Sequence, residues 1–320
     1  MWPRLASLAL LPLICLAGCS SSSDPTDAAA TAANGSDPAE LVFIFQKQRD
    51  PTQIKTNADK AAAFLSNELG IPVKAVVPTE YAASVQALVS KQADFAYISA
   101  VPFLLARRDG GATLLLTEQR IDPQGKARTS YDSVFVVRAD SSLHSIGDIV
   151  AEAADLRMVF TSTTSTSGYI MAYARLVDEG LLIPKQDPRE VFASVNFAGS
   201  YTLALQQVLE SRADLCAVSY YTVEGDTADV YTTAEEREKL RIIARTPNVP
   251  THLICARGGL SNRLKARVKA ALIKLSHDQP DLLKNVYGAM TFVETDEDQH
   301  VAAAVGALNR LGMPIEKFVK

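Results

Sequence analysis

From residue 41 to residue 256, short apolar runs alternate with segments whose apolar residues recur at helical spacing, the two periodicities of strand and helix. The first half reads as strand 41–45, helix 58–69 closed by Gly70, strand 73–77, helix 81–91, and strands 95–99 and 112–117. The pattern then restarts with strands 133–138 and 159–161, helix 168–179, strand 195–197, helix 202–211 and strand 214–219. Strands 240–244 and 252–256 follow, and the stretches 262–276, 280–287 and 299–311 are amphipathic helices. This alternation predicts mostly parallel sheets with helices on both faces, and ligands outside the carboxyl ends of the strands. A body of about 280 residues suits two such α/β units, although no repeat marks a duplication.

One polar interruption stands out. Residues 161–167 are seven consecutive hydroxyl residues between a predicted strand and a predicted helix, followed by Gly168 and Tyr169. Hydroxyls donate to an oxyanion, and the free N–H groups of a helix start add donors and the positive end of a dipole. Gly168 removes side-chain bulk where a ligand would approach the backbone. Composition alone favours a Ser/Thr loop that merely caps its helix. The position at the carboxyl end of a strand shifts the balance to ligand binding.

The N-terminus sets the compartment. Arg4 precedes an apolar run at 5–16, too short to span a bilayer, and the run ends in Leu16-Ala17-Gly18-Cys19. That ending resembles the bacterial lipobox, in which the cysteine is acylated and becomes the first mature residue. Residues 1–18 are thus expected to be a lipoprotein signal peptide and Cys19 the lipidation site; an ordinary secretory leader is the other reading, and both export the chain. Residues 19–40 carry no large apolar side chain and are expected to be a flexible tether.

The formal net charge of -4 supplies no basic field for nucleic acid, so an anion must be held by local dipoles. With Cys15 lost and Cys19 lipidated, Cys216 and Cys255 remain; a disulfide and two buried thiols both stay open. His144, His252, His277 and His300 are scattered and no C-x-x-C occurs, so no metal site is expected. P-loop, dinucleotide, zincin and nucleophile-elbow motifs are absent, and the acidic stretch 294–298 lacks calcium-loop spacing. No catalytic residue and no cofactor are expected.

Ser165-Thr166-Ser167-Gly168-Tyr169 resembles the Ser-Thr-Ser-Gly-aromatic signature of the phosphonate, phosphite and phosphate ABC transporter substrate-binding proteins. Pro78-Thr79-Glu80-Tyr81-Ala82, Ala93-Asp94-Phe95-Ala96-Tyr97, Tyr131-x-Ser133, Ser145-Ile146-Gly147-Asp148-Ile149 and Arg245-Thr246-Pro247 follow in the family's order. The resemblance implies a bilobal type II periplasmic-binding-protein fold, two α/β lobes joined by a two-segment hinge near 120–131 and 256. Lobe 1 is expected at 41–130 with 257–320, and lobe 2 at 131–256. Carried over by position, Ser165, Thr166 and Ser167 would hold the phosphoryl oxygens, backed by the amides of Gly168 and Tyr169, with Tyr81 and Tyr131 donating from the facing lobe and the hinge side.

The chain departs from the family where a histidine is usual: Ala198-Gly199-Ser200 leads instead into Tyr201-Thr202, where Ser200, Tyr201 or Thr202 stands to replace its hydrogen bonds, and Tyr201 is counted in the expected site. Members that take amino-bearing phosphonates use carboxylates near segments that here read Ser219-Tyr220-Tyr221 and Pro250-Thr251-His252. Tyr221 and His252 join the expected site, with His252 donating to the anion and drawn toward its charged form by it. A buried ammonium without a carboxylate is costly, so the expected ligand lacks an amine: phosphite or a simple alkylphosphonate, with phosphate behind. The implied partners are an ABC permease and ATPase complex and, through the lipid, the membrane, for a monomer in the cell envelope facing the periplasm or the exterior. Presentation of the same ligand to a membrane histidine kinase is the alternative.

Overall fold

The computed structural model describes residues 37–315, which lie in one compact unit, Gly35–Lys320. The leader, Cys19 and most of the expected tether fall outside the described residues. No helix among the described residues is long and apolar enough to cross a membrane.

β1 (Leu41–Phe45) is apolar on both faces because it lies inside a sheet covered on both sides. α1 (Pro51–Leu69) begins a full two turns before its apolar periodicity does. Asp50 caps it by accepting from the amides of Thr52 (2.9 Å) and Gln53 (3.2 Å), Pro51 occupies the first turn, and Gly70 closes it in the left-handed region. β2 (Val73–Val76), α2 (Tyr81–Val89), β3 (Phe95–Ile98), α3 (Ala100–Gly110) and β4 (Thr113–Ile121) follow, then a short β5 (Ala127–Arg128). The second lobe comprises β6 (Ser130–Arg138), α4 (Ile146–Glu152), β7 (Arg157–Phe160), a π-helical turn (Thr166–Met171) running into α5 (Ala172–Asp178), β8 (Ser194–Phe197), α6 (Tyr201–Leu209), β9 (Leu215–Ser219), α7 (Ala234–Glu238) and β10 (Leu240–Pro250). β11 (Leu253–Ala256), α8 (Asn262–Asp278), α9 (Pro280–Tyr287), β12 (Thr291–Val293) and α10 (Glu297–Arg310) complete the chain.

The first sheet has the order β12-β4-β11-β3-β1-β2, with β5 on the end of β4; the second has the order β10-β6-β9-β7-β8. Both are mixed rather than mostly parallel. β1 is parallel to β2 and β3, and β7 to β8 and β9, as strand–helix alternation requires. The strands that carry the chain across run the other way: β11 is antiparallel to β3 and β4, and β6 to β9. A chain returning through the hinge meets each sheet from the end where its parallel strands finish.

Two expected boundaries need correction. Lobe 2 does not extend to 256, because β11 pairs within the first sheet; the return crossing is at Thr251 and His252. The C-terminal helices do not all belong to lobe 1. α8 and α9 pack with α1 under the first sheet, whereas α10 bridges the lobes. Arg107 of α3 pairs with Glu297 and Asp298 at 2.8 Å, Arg310 reaches Asp178 of α5 at 3.7 Å, and Val301, Ala304, Leu308 and Leu311 join a core shared with the second lobe. Cys216 and Cys255 are free, buried thiols on β9 and β11, in different sheets. Burial pushes both thiols well up.

Candidate functional site

Parallel strands that finish at one level deliver helix starts to a common place. β2, β3, β7 and β8 each end just before α2, α3, the π-helical turn and α6, and β9 ends before the single turn Tyr220–Thr222. Ser167 is the meeting point. Its Oγ lies 2.9 Å from Tyr201 Oη and 2.9 Å from Ser219 Oγ, and Tyr131 donates to it at 3.3 Å. Ser133 fixes the backbone beneath by donating to the Ser167 carbonyl at 2.8 Å. All of these side chains are buried.

The expected hydroxyl run divides by role. Ser165 Oγ accepts from the Gly168 amide at 3.1 Å, so that amide is engaged locally as a helix cap. Thr166 Oγ1 accepts from the Val101 amide of α3 at 3.0 Å and thereby ties the two lobes together. Gly168 is required by packing against its own lobe. A Cβ there would lie 2.1 Å from Thr161 Oγ1 and 2.6 Å from Thr161 Cβ. Tyr169 turns away from Ser167, and its ring packs edge-on to Phe160 (5.0 Å) and Phe197 (5.2 Å), where burial holds its hydroxyl at about 12.

Lobe 1 closes over this cluster with residues no motif announced. Gln46 and Gln48 follow the end of β1. Gln46 Oε1 accepts from the Ser99 amide at 3.0 Å, and Gln48 Oε1 accepts from the hydroxyls of Tyr231 (3.0 Å) and Tyr221 (3.4 Å). The Gln48 carbonyl accepts from the Tyr201 amide at 3.0 Å, a further bond between the lobes. Tyr81 Oη, Gln48 Nε2 and both ring nitrogens of His252 are buried and have no hydrogen-bond partner among the described residues.

Beneath Tyr221 lies a buried ion pair. Arg120 pairs with Glu118, donates to the carbonyls of Tyr287 and Gly288, and sets its guanidinium 3.7 Å from the Tyr221 ring centroid. Tyr97 donates to Glu118 from the other side. His252 is stacked near-parallel on Tyr131, at 6.4 Å and 7°, and on Tyr287, at 6.0 Å. Burial, then Arg120 and His300, hold its imidazole well below the usual histidine range. Burial likewise raises Tyr81, Tyr131 and Tyr221 well above the ordinary phenol value, so each remains a neutral donor.

Residues 43–300 match the family described as the periplasmic substrate-binding protein of the phosphonate ABC transporter. The chain belongs to this family. A curated relative, the probable ABC transporter phosphite-binding protein PhnD1 of Prochlorococcus marinus, is 24% identical over 247 residues, 74% of this chain and 78% of the relative. The solved structure of that PhnD1 with methylphosphonate aligns with a TM-score of 0.73 at 20% identity, covering 87% of this chain and 100% of the other. A Pseudomonas aeruginosa binding-protein component of an ABC phosphonate transporter has a TM-score of 0.73 at 19% identity, with coverage of 86% and 87%. A Xanthomonas citri protein bound to ATP has a TM-score of 0.65 at 20% identity, with coverage of 86% and 98%. The bilobal fold is therefore that of the phosphonate-binding family. The chain is an extracytoplasmic substrate-binding component of an ABC transporter and not an enzyme.

Proposed function

We propose that this family member delivers a small phosphorus oxyanion without an amine, phosphite or a simple alkylphosphonate ahead of phosphate, to its importer. The observation that carries this reading is that Tyr81 Oη, Gln48 Nε2 and both His252 nitrogens are buried without a partner among the described residues, while His252 stacks on Tyr131 and the Gln48 backbone bonds Tyr201, two members of the linked hydroxyl cluster Tyr131, Ser167, Tyr201 and Ser219. Buried polar groups without partners are rare in folded proteins. A cluster of them beside uncapped helix starts suits a compact tetrahedral anion. α2 contributes such a start, since Glu80 does not cap its helix with a side chain.

The amine is excluded on charge grounds. Glu118 is the carboxylate beneath the cluster, and Arg120 and Tyr97 already engage it. An ammonium entering there would be buried without a counterion, at a cost of several kcal/mol. Tyr81, Tyr131, Ser167, Tyr201, Tyr221 and His252 form the ligand's surroundings, while Ser165, Thr166, Gly168 and Tyr169 shape the turn that presents Ser167. The protein works as a monomer tethered through Cys19, within reach of a permease and its ATPase.

Calorimetric titration with phosphite, methylphosphonate, phosphate, 2-aminoethylphosphonate and sulfate tests the reading. Methylphosphonate or phosphite should bind tightest. Tight binding of 2-aminoethylphosphonate alone, or indifference to every phosphorus oxyanion, overturns it.

A further inference from the structure

The carboxylate and carboxamide oxygens of the site, and Thr166 Oγ1, already accept hydrogen bonds. The Glu118 carboxylate receives Tyr97 and Arg120, Gln46 Oε1 receives the Ser99 amide at 3.0 Å, and Gln48 Oε1 receives Tyr231 at 3.0 Å and Tyr221 at 3.4 Å. Thr166 Oγ1 receives the Val101 amide at 3.0 Å. Donors remain in supply, from Gln48 Nε2 and the Tyr81 hydroxyl, neither of which has a partner among the described residues. A singly charged phosphorus oxyanion still carries a P–OH hydrogen, and that hydrogen needs an acceptor.

His252 has a free one. A neutral imidazole carries one N–H and one lone pair, and neither nitrogen of His252 is engaged among the described residues. The ring sits at the return crossing, against Tyr97 of β3 (6.3 Å), Tyr131 of β6 (6.4 Å) and Tyr287 at the end of α9 (6.0 Å). The charged and titratable groups around it are those three tyrosines, Glu118 and Arg120 of β4, and His300 of α10. Arg120 and burial oppose a proton on the ring. Because donors are already plentiful, the orientation that turns the lone pair to the ligand is the one that adds a complementary partner.

We propose that His252 reads the ligand's proton: its unprotonated ring nitrogen accepts the P–OH hydrogen of a singly charged phosphorus oxyanion. This assignment rests on the oxyanion reading above and makes His252 the residue that separates protonated phosphorus oxyanions from sulfate, which has no proton to offer. A site built to pair a ligand hydroxyl penalises an analogue that lacks it, because the buried partner is left unmatched.

Methylphosphonate and sulfate binding measured from pH 5.5 to 8.5 in the wild type and His252→Phe test the assignment; the phenyl ring keeps the stacking and loses the nitrogen. Wild-type affinity for methylphosphonate should fall roughly tenfold per pH unit above the ligand's second ionisation. In His252→Phe the slope should flatten and the preference over sulfate shrink roughly tenfold or more. If that variant does not fold, His252→Leu, which also lacks an acceptor, replaces it. Nitrogen-15 resonances of the wild-type ring, loaded with methylphosphonate at pH 6, should remain those of a neutral imidazole whatever the variants do. An imidazolium on loading, or an unchanged slope and sulfate preference in the variant, overturns the assignment. If the wild type ignores phosphite, methylphosphonate and phosphate alike, the oxyanion reading itself falls.

Discussion

Gly168 illustrates how a residue legible in the sequence acquires its reason from packing. Its lack of a side chain serves Thr161, whose own Oγ1 donates to the Ala217 carbonyl at 3.3 Å and so holds the π-helical turn to β9. Gly168→Ala therefore has to push the turn off Thr161, an overpacking cost of about 1–3 kcal/mol. The melting temperature should drop by several degrees, and ligand affinity should fall with it because Ser167 is the preceding residue. Trimming the neighbour in Thr161→Gly, Gly168→Ala should recover part of the lost stability relative to Thr161→Gly alone. Gln46 and Gln48 are the opposite case. A glutamine after a strand has no motif, and only the fold reveals that their side chains meet Ser99, Tyr221 and Tyr231.

At the scale of elements, periodicity located most strands and helices and failed where burial was uniform. Residues 100–106 of α3 are all buried, so no polar face betrays the helix, and its start, which meets Thr166, was illegible. The apolar run read as a strand covers only 240–244 of β10. The strand continues to Pro250 as an edge strand, with Pro247 inside the register shift between Thr246 and Val249 and Pro250 at the strand's last position. α10 was legible as a helix, but its role as a bridge was not, and it brings His300 Nε2 to 3.0 Å from the Thr251 carbonyl. Burial holds His300 below the usual range, as it does its neighbour His252. Both rings take up protons in the unfolded chain near pH 6.5 and only at lower pH in the folded one. Their contribution to stability is complete above pH 6.5 and is lost as pH falls toward the folded values, by up to about 1.4 kcal/mol per pH unit for each ring. Urea midpoints of the ligand-free protein should decline from pH 7 to pH 5.5, and His252→Phe should decline less steeply; equal slopes would contradict this account.

Across the whole molecule, the lobes are joined by bonds that exist only when they meet. Thr166 to the Val101 amide and the Tyr201 amide to the Gln48 carbonyl lie within the site itself, whereas Arg49 lies to one side. It donates to the Val230 carbonyl of lobe 2 at 3.1 Å, and to the Asn285 carbonyl and Gln53 of lobe 1, with no carboxylate partner among the described residues. It touches none of the groups placed around the oxyanion, so its bond to Val230 favours closure without favouring any one ligand. A charge-assisted hydrogen bond of this kind contributes about 1.5–3 kcal/mol. If closure is the competent state, Arg49→Gln should lower affinity for phosphite, methylphosphonate and phosphate by one common factor, roughly 10- to 100-fold, because the competent fraction multiplies every intrinsic constant alike. Calorimetry should find the order of ligands unchanged, and small-angle scattering should find the ligand-saturated variant as compact as the wild type. A variant that altered the order would put Arg49 in contact with ligand, and one that left every affinity intact would remove it from closure.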